Sequence, residues 1–258
     1  MPHAVLRAIF LGTGIFYLVL AVGFGLRLPA VTGLWLWEDT RLSHLFIGSV
    51  LAALSAGALW TAWSGRLRAA TPSLIGLSLA FLASGLYLLI LAVEGTAPQV
   101  LPHALGYLLA AAIAWLLLAA MRDQPPDARP ITALVRWSCV LYAITLATAG
   151  AALVARFPHV FPWPLSPGSS VVFGFTFLGL AAVYALTALR GGAGAATVAM
   201  AGFLAYDIVL LPPFLGHFAN VAPERLPSLT IYTAVLVYSA LVAAHYLLTE
   251  RSVRARQA

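Results

Sequence analysis

The chain has no lysine and a single cysteine in 258 residues, and only 9% of its residues are charged. A soluble domain carries about 25% charged residues, and a chain with 62% hydrophobic residues could not cover a water-facing surface. The composition therefore excludes an ordinary soluble globule and fits a lipid bilayer. One cysteine excludes an internal disulfide framework or thiolate cluster, and Cys139 reads as a small buried apolar residue. Also missing are a Walker loop, a dinucleotide fingerprint, a Gly-x-Ser-x-Gly elbow and a His-Glu-x-x-His pair. No enzyme class is suggested. All fourteen basic residues are arginine, which together with the abundant alanine points to a GC-rich bacterial genome. The net charge of +6 implies no nucleic-acid partner, because no basic stripe with interleaved aromatics exists.

Long apolar runs take the place of charge. A membrane-spanning helix needs about 20 mostly apolar residues. Eight segments qualify, at 5–26, 44–64, 72–93, 102–121, 131–155, 169–189, 196–216 and 228–248. The expected fold is an all-α, polytopic transmembrane helix bundle. Arg7, Arg66, Arg68, Arg122, Arg129, Arg136, Arg190, Arg251, Arg254 and Arg256 fall on one side, against Arg27, Arg41, Arg156 and Arg225 on the other. By the positive-inside rule both termini are cytoplasmic, in a bacterial inner membrane. Trp60, Trp63 and Trp137 fall near one interface and Trp35, Trp37 and Trp163 near the other, as aromatic belts do.

The chain resembles itself at an offset of about 122 to 126 residues. Gly48 pairs with Gly174, Trp37 with Trp163, Thr61-Ala62 with Thr187-Ala188, and Phe81-Leu82-Ala83 with Phe203-Leu204-Ala205. Leu101-Pro102 likewise pairs with Leu226-Pro227, and Tyr107 with Tyr232. Two tandem four-helix repeats are expected, 1–124 and 125–258, related by a pseudo-two-fold axis along the membrane normal. Gly48, Ala52 and Ala56, with Ala110 and Ala114, provide small faces for close helix approach.

Polar groups inside the spans are few. Asp207 falls about mid-membrane, where an ionised carboxylate is costly unless paired or hydrated. With Tyr206 and the following Pro212-Pro213, it forms a candidate intramembrane proton or substrate site. As a purely structural group it would be satisfied by Tyr206, a neighbouring hydroxyl or Arg136. Its repeat counterpart is Gly85. His44, His103, His159 and His217 fall on one face. Of these, His44, His103 and His217 are candidate ligands for a metal or a haem b, although no cofactor is otherwise expected. Glu38-Asp39-Thr40-Arg41 reads as a solvated loop tip. The segment 157–167, rich in proline and aromatics, reads as a rigid strip along the membrane surface or a lid. The expected function is a small-molecule or proton-coupled permease. An accessory or scaffold subunit and a haem or quinone redox subunit are the alternatives. The lipid bilayer is the expected partner.

Overall fold

The computed structural model describes residues 1–125 and 129–255, and side chains as far as residue 249. Pro126 and Asp127 of the mid-chain loop and Arg256 of the tail lie outside the described residues, as do the side chains of Arg251 and Arg254. All regular structure within them is helical: α1 (His3–Gly25), α2 (Pro29–Thr32), α3 (Arg41–Ser64), α4 (Thr71–Val93), α5 (Leu101–Ala120), α6 (Ala133–Val154), α7 (Pro167–Arg190), α8 (Ala193–His217) and α9 (Leu226–Ala255). Eight of these, all but the one-turn α2, are long and apolar enough to cross a membrane. The chain is thus an all-helical, multi-pass membrane protein. The helices match the eight runs read from the sequence, except that α9 extends further and α2 was not expected.

Helix starts follow local chemistry. Thr40, Thr132 and Ser166 each accept a hydrogen bond from the backbone N–H three residues on. This satisfies one of the donors that a helix start leaves free. Pro72, Pro102 and Pro167 sit in first turns, where the missing N–H costs nothing.

The ends of α1 and α6 are built alike. Arg27 and Arg156 both adopt left-handed backbone conformations, with φ of 55° and 58°. In the first cap, Leu26, Arg27 and Leu28 donate to the carbonyls of Val22, Phe24 and Gly23. In the second, Ala155, Arg156 and Phe157 donate to Ala151, Leu153 and Ala152. Three-residue 3-10 turns, Pro98–Val100 and Pro223–Arg225, precede α5 and α9.

The close helix pairings form two strings, α1–α3–α8–α9 and α5–α4–α7–α6. The bundle is therefore two layers of four spans, and each layer takes two spans from either end of the chain. Small residues set the crossings. A Cβ added at Gly179 in α7 would lie 2.5 Å from the Gly76 carbonyl oxygen in α4. In the other layer a Cβ on Gly57 would lie 3.1 Å from Val198, and one on Gly202 would lie 3.3 Å from the Ala53 carbonyl. Glycine lets these backbones approach until dispersion contacts act. Gly48, read as part of a small face, meets α1 at the Ala21 carbonyl.

The middle of the segment 157–167 departs from its surface reading, while Phe157, Pro158 and His159 stay exposed. Phe161 and Trp163 are each 2% exposed and pack among Phe46, Phe173 and Phe214. Trp163 is thus a plug residue rather than part of an aromatic belt, and its indole N–H donates to Ser43 at 2.9 Å. Arg225 holds the segment by donating to the carbonyls of Phe161 and Trp163, both at 3.0 Å. Ser228 donates to the His159 carbonyl. Trp63 and Trp137, by contrast, are largely exposed, as belt residues would be.

Candidate functional site

Two regions between the layers hold the apolar cavities, and a further space of about 300 Å³ with Arg68 and Arg190 in its walls lies at the end of α7. In the first, α1, α3, α4 and α5, with α7 behind them, enclose about 560 Å³ toward the α2 side of the bundle. A further 470 Å³ lies toward the side carrying the termini. Tyr17, Leu54, Leu77, Phe81 and Ala110 line both spaces, so the two adjoin at mid-depth along one seam between the helices. Along α5 the lining runs from His103 to Leu117. At 1.5 Å per residue that is about 21 Å, some two-thirds of the roughly 30 Å hydrocarbon thickness.

The seam opens sideways. α1 and α5 are not among the closely packed helix pairs, although Leu6 and Phe10 of α1 share a core cluster with Ala114 of α5 and Met121 at the termini end. Phe16 and Ile113 line the seam and are also 59% and 47% exposed on the flank of the bundle. In a bilayer this mouth faces acyl chains rather than water. Among the described residues, the walls contain no aspartate, glutamate or arginine. Polar groups are sparse, chiefly His103, Tyr17 and Tyr107 in the wider part and Thr13 and Ser73 in the other.

The second region is framed by α6, α7, α8 and α9 with α3. It holds about 190 Å³, and Val160 and Phe161 of the pinned segment help to line it. Tyr206 and Tyr232 join hydroxyls there. Asp207 lies just behind this wall at 1% exposure. Ser239 of α9 donates to its Oδ1 at 3.0 Å, while Oδ2 has no partner. Tyr142 and Thr233 also carry buried hydroxyls without partners. The acid is thus met by a neighbouring hydroxyl, one of the partners the sequence allowed. Pro212 and Pro213 lie inside α8, which continues to His217. Lacking N–H groups, they leave the carbonyls of Ile208 and Val209 without helical donors.

The histidines are placed apart in role. His217 meets the Pro162 carbonyl at 3.1 Å and so braces the pinned segment. His44 is buried with its ring near Phe24, and its Nδ1 has no partner. His103 lines the seam, and its Nδ1 is likewise buried and unpartnered. Among the described residues, no three His, Cys, Asp or Glu side chains are grouped to hold a metal ion. Asp39, read as part of a solvated tip, instead accepts from Trp35 at 2.8 Å and from Ser169.

Sequence reasoning singled out Asp207 and His103 but missed the seam. Its traces are Gly106 and Ala110, small residues that read as packing positions until their neighbours are known. No protein family, curated protein or solved structure matches this chain.

Proposed function

We propose that this protein is a permease for a small apolar or amphipathic molecule that enters the seam sideways from the lipid. The observation that carries the proposal is a pair of adjoining, uncharged cavities that share their mid-depth walls and together cover about two-thirds of the hydrocarbon depth. Such walls suit an apolar solute, since they impose no desolvation penalty on one already dissolved in lipid. They offer no charged group to hold a bare ion. Following the arginine bias, the termini side faces the cytoplasm of a bacterial cell.

Duplication of a four-span unit belongs to the same proposal. Several correspondences support it: the twin caps at Arg27 and Arg156, the twin 3-10 turns, and a pairing order that is unchanged when the two ends of the chain are exchanged. On this reading the first unit keeps the passage. The second, with Asp207 tied to Ser239, braces it. A proton-coupling role for Asp207 would require a link to the seam, and Asp207 is absent from its walls.

The test is lipid flux. A nitrobenzoxadiazole-labelled glucosylceramide, neutral and slow to cross a bare bilayer, is placed in both leaflets of proteoliposomes and bleached from outside with dithionite. The proposal expects the protected inner fraction to become bleachable with wild-type protein, and to stay protected with Ala110→Trp, which fills the mid-depth waist. Wild-type vesicles that behave like protein-free ones would refute it.

A further inference from the structure

We propose that the α2 end of the seam is a head-group site for a neutral amphiphile with a flat, carbonyl-bearing ring, the chemistry of a quinone, with His103 as its hydrogen-bonding partner. The inference rests on the permease reading for its cavity and adds the class of ligand.

Three observations select the head. Among the described residues, the walls at this end carry no arginine, lysine, aspartate or glutamate, so a phosphate or carboxylate head would find no arginine or lysine to pair with. The space is ringed by aromatics: Trp35 stacks on Phe173 at 5.3 Å, Phe46 lies 4.5 Å from Phe173, and Phe81 lies 5.8 Å from Tyr107. Aromatic faces and edges suit another planar ring. The third is the imidazole. His103 is among the residues that line this space. Its Nδ1 is buried against protein, so Nε2 is the nitrogen that would meet a ligand, its N–H donating to a carbonyl.

Depth selects the tail. His103 is the third residue of α5, within a turn of the helix end, so the head would sit near the edge of the hydrocarbon. From there the seam descends about 21 Å as a purely neutral passage, measured by helical rise. An apolar tail fits this space, and the mouth between α1 and α5 lets a longer tail emerge into lipid.

The experiment titrates decylubiquinone into the full-length protein in nanodiscs and reads tryptophan fluorescence, which a quinone quenches on close approach. Trp35 lines the site and serves as the reporter. The expected result is saturable quenching in wild type and loss of most of the saturable amplitude in Trp35→Phe. His103→Leu should bind about two- to tenfold more weakly, the range for one hydrogen bond, and His103→Gln, which keeps a donor, should recover part of that loss. Thermal unfolding checks that each variant is folded. Equal affinity in wild type, His103→Leu and His103→Gln would overturn the head-group assignment. If Ala110→Trp still abolished the saturable phase in that case, the apolar passage would stand and only the head would be wrong. Quenching that is linear in quinone and the same in every variant would remove both.

Discussion

The cavity framed by α1, α3, α4 and α5 holds about 560 Å³ at its wider end, against about 190 Å³ for the one framed by α6 to α9. The spacing that pairs Gly48 with Gly174 also pairs Leu51 with Phe177 and Ala58 with Tyr184. The spacing that pairs Phe81 with Phe203 puts Ser84 opposite Tyr206, and the one that pairs Arg27 with Arg156 puts Thr13 opposite Tyr142. At all four positions the larger residue lines the second region, though Tyr184 also walls the termini-side part of the seam. There Tyr184 stacks on Phe203 at 4.4 Å and Tyr142 meets the same ring edge-on at 4.4 Å. At these positions the second region carries more side-chain volume, although the same spacing that pairs Arg27 with Arg156 puts Phe16 opposite Thr145 and Tyr17 opposite Leu146, where the larger residue lines the open region. The acid follows the same division. A Cβ on Gly85 would lie 2.9 Å from Leu108, whereas Asp207, its counterpart under the proposed duplication, meets Ser239 of α9.

This contrast can be broken from either side. The largest effect is expected from Tyr184→Ala, which deletes a ring from the filled region. A loss of about 3 kcal/mol or more, the usual cost of an aromatic truncated in a core, should appear as a lower unfolding midpoint in detergent. A shift too small to measure would mean that the second region is not a packed core. Next comes the reverse change. Leu51→Phe combined with Ala58→Tyr should fill the open region, cutting lipid flux about tenfold, an effect worth about 1.4 kcal/mol, while leaving the unfolding midpoint close to wild type. Unchanged flux would show that the seam is not the route. The smallest effect is expected at Asp207. Asp207→Asn keeps an acceptor for Ser239. Asp207→Leu leaves the Ser239 hydroxyl its carbonyl partners Val235 and Leu236, at 2.9 and 3.0 Å. Both variants should fold and carry lipid at nearly the wild-type rate. A large, pH-dependent loss of flux in Asp207→Asn alone would instead give the acid the proton role that the sequence suggested.

The eight spans were legible in the sequence because hydropathy over about 20 residues is decided within each segment. Capping residues such as Thr40 and Ser166 were equally local. Trp163 was not legible: a tryptophan in a proline-rich loop looks the same whether it floats at an interface or plugs a core. Its burial depends on Ser43 and Arg225, which are 120 and 62 residues away in the chain. Asp207 was conspicuous as a lone acid in an apolar span, but its partner on α9 emerged only from the α8–α9 pairing. The seam was the least legible feature. Ala58 and Ala110 are ordinary residues of apolar helices. They mark a void only once α3 is known to pack on α8, and α4 on α7, leaving α1 and α5 apart.

The most direct test of the central claim is the collision rate of a nitroxide spin label in nanodiscs. The label is attached at Ala110→Cys in a Cys139→Ala background. Lipid-facing Leu109→Cys and second-region Val235→Cys serve as references. Oxygen concentrates in the apolar phase, and a nickel chelate stays in water. An apolar passage open to lipid predicts that the label at position 110 meets oxygen nearly as often as at 109 and meets nickel hardly at all, while the label at 235 meets neither. Shielding at 110 equal to that at 235, or ready access by nickel, would contradict it.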